Sequence, residues 1–381
     1  MTARPIYLDH HSTTPCDPRV LERMLPFFTE SFGNPASISH EHGRKAATAV
    51  EEGRATVADF LQVRPNEVFF TAGATEANNI AIFGVLSDPS EHVITSEIEH
   101  KSILAPIARL EAEGYEVTRL RPDSEGFISP AELASAIRPT TRLVSIMAAN
   151  GEIGTVQPLA ELAAVCRERN VLFHTDATQA VGKVPLDLSE IECDLLSMSA
   201  HKLYGPKGIG ALVVRRGVRV SSPLVGGGQE KNVRPGTVNV PGVIGLAAAL
   251  ELRASEMNEE ARRLVELRDA LWDRLVSIEG ASVHGPRGLR LPGNLNVSFE
   301  RVEAEPLMHS LRRFSISSGS ACSSGDREPS HVLRAIGLSE ERAMGSIRIG
   351  LGRSTTADEL EMLVEDLKIS VTRLREISAV R

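Results

Sequence analysis

Aromatic residues make up only 4% of the 381 residues, with one Trp and three Tyr, so the core must be built chiefly from Leu, Ile, Val and Ala. Cysteine is also scarce. The four present, Cys16, Cys166, Cys193 and Cys322, form no CxxC pair, which argues against a zinc site and against a disulfide framework. Long apolar runs are missing: residues 243–252 fall far short of the ~20 a membrane helix needs and read as a buried helix face. Positive charge is in deficit, 42 Lys and Arg against 50 Asp and Glu, and the net charge of -8 rules out the whole chain as a nucleic-acid binder by charge. Residues 1–9 have no apolar segment of the secretory kind. The expectation is a cytoplasmic protein that engages no membrane. Repeats and low-complexity tracts are absent.

What is present suits a large globular chain. Apolar residues reach 42% and charged residues 24%, and the length accommodates two domains. Strand-like and helix-like segments alternate. Residues 67–71 (EVFFT), 92–96, 142–148, 171–175, 195–199 and 211–215 read as strands; 75–86, 102–113 and 159–169 read as helices. This order implies βαβ units and a mainly parallel sheet covered on both faces. The texture changes near residue 240. Residues 242–278 carry one long helical pattern, expected to bend or break. A short strand at 294–299, a helix at 305–313 and an amphipathic helix at 358–377 suggest a smaller α+β domain.

Four constellations can carry chemistry. Residues 71–76 (TAGATE) follow a strand and open a helix, where small residues and the helix N-terminus favour an anion; an ordinary turn capped by Thr75 is the alternative. Residues 174–179 (HTDATQ) put Asp176 just past a strand's carboxyl end, where ligands sit in open α/β sheets; it needs a positive partner or serves as a helix cap. Residues 197–208 (SMSAHKLYGPKG) place Lys202 after a strand, as a Schiff-base lysine or a solvated loop residue. A phosphate cup, an acid and a lysine in that order match the needs of pyridoxal phosphate. Finally, Cys322 lies among Ser and Gly in residues 317–325 (SSGSACSSG), a setting that leaves a sulfur exposed, whereas Cys166 reads as core.

These motifs resemble the NifS/IscS-type cysteine desulfurases, within the class V aminotransferases and the fold-type I pyridoxal phosphate enzymes. The resemblance also takes in residues 7–9 (YLD), 32–35 (FGNP), 77–79, 99–100, 150–154 (NGEIG), 226–239 (GGGQEKNVRPGTVN) and 346–353 (SIRIGLGR). It implies an α/β large domain, 16–255, with a mainly parallel seven-stranded sheet between helices, and a smaller α+β domain formed by 1–15 and 256–381. By resemblance Lys202 binds the cofactor aldehyde, Asp176 pairs with the pyridinium nitrogen and Gln179 reaches the phenolic oxygen. Ala74, Thr75, Ser199 and His201 hold the phosphate, and Thr237 reaches the phosphate of a neighbouring subunit in a homodimer. His100 stacks on the ring and moves protons. Asn34, Asn150 and Arg348 hold the substrate carboxylate. Cys322 takes sulfur from L-cysteine as a persulfide, leaving alanine, for delivery to a sulfur acceptor or iron–sulfur scaffold protein.

Two departures stand out: His10-His11 after Asp9, too few for a metal site, and Pro235 where a serine is expected. The competing readings are a selenocysteine or cystine lyase on the same scaffold, an aminotransferase, and a non-catalytic sulfur-relay scaffold.

Overall fold

The computed structural model describes residues 5–318 and 328–379. Its strands are β1 (Ile6–Tyr7), β2 (Val68–Thr71), β3 (His92–Ser96), β4 (Glu116–Leu120), β5 (Thr141–Ser145), β6 (Leu172–Asp176), β7 (Leu195–Ser199), β8 (Gly210–Val214), β9 (Ala281–His284), β10 (Asn294–Phe299), β11 (Phe314–Ser315), β12 (Ser317–Ser318) and β13 (Ser346–Gly350).

Seven of them form one sheet in the order β2-β8-β7-β6-β5-β3-β4, parallel except for β8, which runs antiparallel to β2 and β7. Strands β2, β3, β7 and β8 are buried at every position. That explains why their sequences read as continuous apolar or small-residue runs rather than as alternation. Helices cover both faces. One apolar cluster joins the Glu41–Leu61 helix, the start of the Val240–Val276 helix and one sheet face; a second joins the Ala74–Val85 and Lys101–Ala112 helices to the other.

A four-stranded sheet, β12-β13-β10-β9, is antiparallel and packs Leu295, Val297, Phe299, Ile347 and Ile349 against the C-terminal helix Ala357–Ala379. Between the sheets the Val240–Val276 helix runs unbroken for 37 residues. The expected break does not occur, because no Gly or Pro follows Gly245 until Gly280. The strand expected at 142–148 stops at Ser145. Its backbone goes on bonding to β6, through Ile146 N–H to His174 O and Ala148 N–H to Asp176 O, and then turns at residues 149–156.

Candidate active site

Strands β6 and β7 lie side by side with Asp176 opposite Ser197, so their carboxyl ends deliver Asp176 and, five residues past Ser197, Lys202 to one edge of the sheet. Asp176 is buried. Its Oδ1 accepts from Thr178 N–H at 3.0 Å and its Oδ2 from Asn78 Nδ2 at 2.8 Å. Among the described residues no cation forms an ion pair with it, yet burying a carboxylate unpaired is costly. The site therefore has room, chemically, for a protonated ring nitrogen.

Asn78 comes from the Ala74–Val85 helix. Gly73 starts that helix at φ +148°, a conformation side-chain-bearing residues rarely adopt, and caps it without a side-chain bond. The helix N-terminus at Ala74 and Thr75 is thus left with free N–H groups, and Ser199 Oγ lies 3.6 Å from where a Cβ on Gly73 would stand. The same helix supplies an anion cup at its first turn and an Asp176 ligand at its second.

The network continues. Asn78 Nδ2 also donates to Ser102 Oγ at 2.8 Å, which lies 2.8 Å from His100 Nδ1. Ser102 N–H donates to the same Nδ1 at 3.1 Å, so His100 caps the Lys101–Ala112 helix with an acceptor nitrogen. The neutral ring then carries its proton on Nε2. Loss of solvent around the ring lowers the His100 pKa; Asp176 opposes this, while Lys202 and His331 add to it. His100 thus feels both the acid and the lysine. His201, with Nδ1 3.1 Å from Thr13 Oγ1, is pushed down to about 4 by burial and by Lys202.

Lys202 Nζ donates to the carbonyl oxygens of His11 and Ser12, both at 2.7 Å. The N-terminal segment thereby comes within reach of the lysine. Arg348, on β13, approaches from the other sheet. Its Nη2 donates to Asp9 Oδ1 at 2.9 Å and Ser12 Oγ at 2.6 Å, its Nη1 to Gly151 O at 3.2 Å, and its buried Nε has no partner. A guanidinium suits a carboxylate ligand, which here would replace Asp9 and Ser12 on Nη2.

The remaining candidates are placed differently. Gln179 bonds His11 and Lys183, beside Lys202. Asn150 is 2% exposed and its amide is committed to the chain: Nδ2 donates to Ile98 O, and Oδ1 accepts from Glu152 and Ile153 N–H. In this arrangement Asn150 shapes the turn that Arg348 touches and keeps no free group for a substrate. Asn34 is exposed ahead of the Glu41–Leu61 helix, its Oδ1 accepting from Ala36 N–H, with no side-chain bond to the Arg348 group among the described residues. Thr237 is exposed on the loop that follows Gly236. Cys322 lies outside the described residues.

Three contributors receive no role in the sequence reading, although Asn78 and Asp9 lie inside its motifs. Asn78 is a polar residue on the buried side of its helix next to Ala77 and Ala81, a detectable anomaly. Ser102, two residues past His100, carries no signal of its own, whereas Asp9 closes the YLD motif. Glu99 is fully buried, and desolvation raises its pKa to about 8 against hydrogen bonds from Ser96 Oγ (2.6 Å) and Met147 N–H (2.9 Å).

The fold and this edge of the sheet define a fold-type I α/β enzyme. Aminotransferase class-V is the family that matches, over residues 6–363, and the chain belongs to it. It is 50% identical to the cysteine desulfurase IscS of Histophilus somni, over 98% of this chain and 94% of that one. It is 48% identical to a mitochondrial cysteine desulfurase of Arthroderma benhamiae, over 98% of this chain and 76% of that one. A solved NifS-like protein superposes with a TM-score of 0.91 at 36% identity, covering 97% of this chain and 99% of the other.

Proposed function

We propose that the protein is a cysteine desulfurase that uses pyridoxal phosphate, converting L-cysteine to L-alanine and passing the sulfur to Cys322 as a persulfide. The observation that carries the cofactor assignment is Asp176, a buried carboxylate with two hydrogen-bond donors and no paired cation among the described residues, at the sheet edge that also presents Lys202. Extensive identity with cysteine desulfurases supports the reaction. When bound, pyridoxal phosphate supplies an electron sink for the substrate α-carbon.

The chain's own groups do the rest. The uncapped first turn at Ala74 and Thr75, with Ser199 and His201, holds the phosphate. Asp176 keeps the ring nitrogen protonated, and Gln179 donates to the phenolic oxygen. His100 packs on the ring. Lys202 anchors the aldehyde and then carries the α-proton. Arg348 takes the substrate carboxylate, exchanging its bonds to Asp9 and Ser12, with Asn34 and Asn150 shaping the approach. The sulfur of Cys322 forms an S–S bond to the substrate sulfur as the substrate's Cβ–S bond breaks, and the carbon product gains a proton and leaves as alanine. A free thiol is only a few per cent ionised at pH 7. With its Nε2 protonated, a neutral His100 is a hydrogen-bond donor, suited to holding a thiolate rather than to taking its proton.

The same reading makes the enzyme a cytoplasmic homodimer in which Thr237 serves the other subunit's phosphate. It hands sulfur to an acceptor such as an iron–sulfur scaffold protein. No described helix is long and apolar enough to cross a membrane. Separate apolar clusters under the two sheets support a division into 16–255 and 1–15 with 256–381, joined by the Val240–Val276 helix, which contributes to both. The test is alanine release from L-cysteine by wild type, Lys202→Ala and Cys322→Ala. Both variants should lose nearly all activity, and Lys202→Ala should still hold the cofactor non-covalently. Full turnover by Cys322→Ala overturns the persulfide step.

A further inference from the structure

Beneath Lys202 lies a second amine that the proposed mechanism does not use. Lys183, four residues after Gln179, donates from Nζ to Gln179 Oε1 at 2.7 Å. His11 Nδ1 stands 3.2 Å from the same oxygen. On the other side of the amide, Gln179 Nε2 donates to the His11 carbonyl at 2.9 Å, and that carbonyl also accepts from Lys202 Nζ at 2.7 Å. Lys183, Gln179, the His11 carbonyl and Lys202 thus form one chain of hydrogen bonds.

The polarity of this chain is fixed by what each atom can do. A backbone carbonyl only accepts, so the amide nitrogen must face His11 O. The amide oxygen must then face Lys183, whose amine donates whether or not it is charged. Oε1 requires a donor from His11 as well, so His11 carries its proton on Nδ1, leaving Nε2 as a buried acceptor with no partner. Gln179 Nε2 keeps a second N–H with no acceptor among the described residues. Gly151 crowds this nitrogen: a Cβ there would lie 2.6 Å from Nε2. Arg348 Nη1 binds the carbonyl of the same glycine.

Lys183 has no carboxylate of its own in ion-pair contact among the described residues. The nearby Glu260 is engaged by Arg253 Nη1 at 2.6 Å and Arg353 Nε at 3.1 Å. Lys183, Lys202, His10, His11, Arg253 and Glu260 line one cavity of about 30 Å³. Burial, Lys202, Arg348 and Arg253 hold the Lys183 ammonium well below its ordinary range, with Glu260 opposing.

We propose that Lys183 is a positioning residue for the cofactor: its bond to Oε1 locks and polarises the Gln179 amide so that the free N–H is presented to the cofactor's phenolic oxygen. This rests on the reading of Gln179 given under the proposed function. Hydrogen bonds in series strengthen one another, so donation to Oε1 makes Nε2–H the better donor. Without Lys183 the phenolic oxygen keeps more negative charge and binds more firmly the proton on the nitrogen linking Lys202 to the cofactor. The pH midpoint of the visible band should then rise.

The test uses the holoenzyme with Lys183→Met, Lys183→Arg and Gln179→Ala. The readouts are pH titration of the visible absorption and equilibrium dialysis of pyridoxal phosphate. Lys183→Met should raise the midpoint by about one pH unit and weaken cofactor retention roughly tenfold. Lys183→Arg, which keeps a donor, should recover at least half of the midpoint shift, and Gln179→Ala should shift it as far as Lys183→Met or further. If Lys183→Met does not fold, Lys183→Ala carries the same prediction. A wild-type midpoint in the Lys183 variants beside a shifted Gln179→Ala overturns this inference and leaves the Gln179 reading standing. A midpoint unmoved in both overturns the two together, and a Lys183→Arg midpoint equal to that of Lys183→Met overturns the inference alone.

Discussion

Both sheets bury polar side chains, and they differ in how those side chains are linked. At the carboxyl edge of the large sheet, Asp176, Asn78, Ser102 and His100 form a continuous hydrogen-bonded line. In the small sheet, strand β10 buries Asn294, Asn296 and Ser298 on one face and Leu295, Val297 and Phe299 on the other. Asn296 sits across from Arg348 in register, yet neither of its amide atoms has a partner among the described residues. Asn294 and Ser298 are bonded, Asn294 to the carbonyls of Gly151 and Glu152. The parallel sheet collects functional groups at its carboxyl ends and links them in series, though Asn78 Oδ1 and Thr175 Oγ1 have no partner among the described residues. The antiparallel sheet supplies a clamp, Arg348, beside groups still open to new partners.

The largest expected effect breaks the wired side. Asp176→Ala removes the acid and strands Asn78, so alanine production from L-cysteine should fall by on the order of 10³-fold with weakened cofactor binding, measured by dialysis. On the clamp side, Arg348→Ala should raise KM for L-cysteine roughly 10²-fold and leave the cofactor's visible band unchanged. A band that moved with Arg348 would erase the distinction between the two regions.

Glu99 sharpens the comparison through pH. Its folded pKa of about 8 lies above the unfolded value near 4.3, so the folded state binds the extra proton between them. Stability is therefore lost as pH rises across that window, by up to about 1.4 kcal/mol per unit from this group. Glu99→Gln should flatten the decline in denaturant midpoint between roughly pH 5 and 8. The smallest effect separates two asparagines. Asn78→Ala loses bonds to Asp176 and Ser102 and should cost about 2 kcal/mol, whereas Asn296→Ala breaks none and should stay within about 1 kcal/mol by chemical unfolding.

Much of the large sheet was legible because buried parallel strands write nearly continuous runs of apolar and small residues, as in VLFHT before Asp176. The Glu41–Leu61 helix was not, although Val50, Val57 and Leu61 lie with Gly43, Ala46, Ala49, Gly53 and Ala58 on one buried face of an amphipathic segment. Strand β4 was missed because it is an edge strand, only partly buried, with Glu116 and Arg119 exposed. Asn150 shows the same limit within the site. Its motif carries the family pattern, but its amide is spent on a turn.

By itself the sequence determined which chemical groups exist and in what order, because a phosphate-binding turn, an acid after a strand and a lysine after the next are local patterns. Only the tertiary structure decided which groups bond to one another. Asn78 meets Asp176 across 98 positions and Lys202 meets the His11 carbonyl across 191. Such pairings follow from how the sheet and the N-terminal segment pack, and a hydrogen bond of under 3 Å requires a placement that no local pattern encodes.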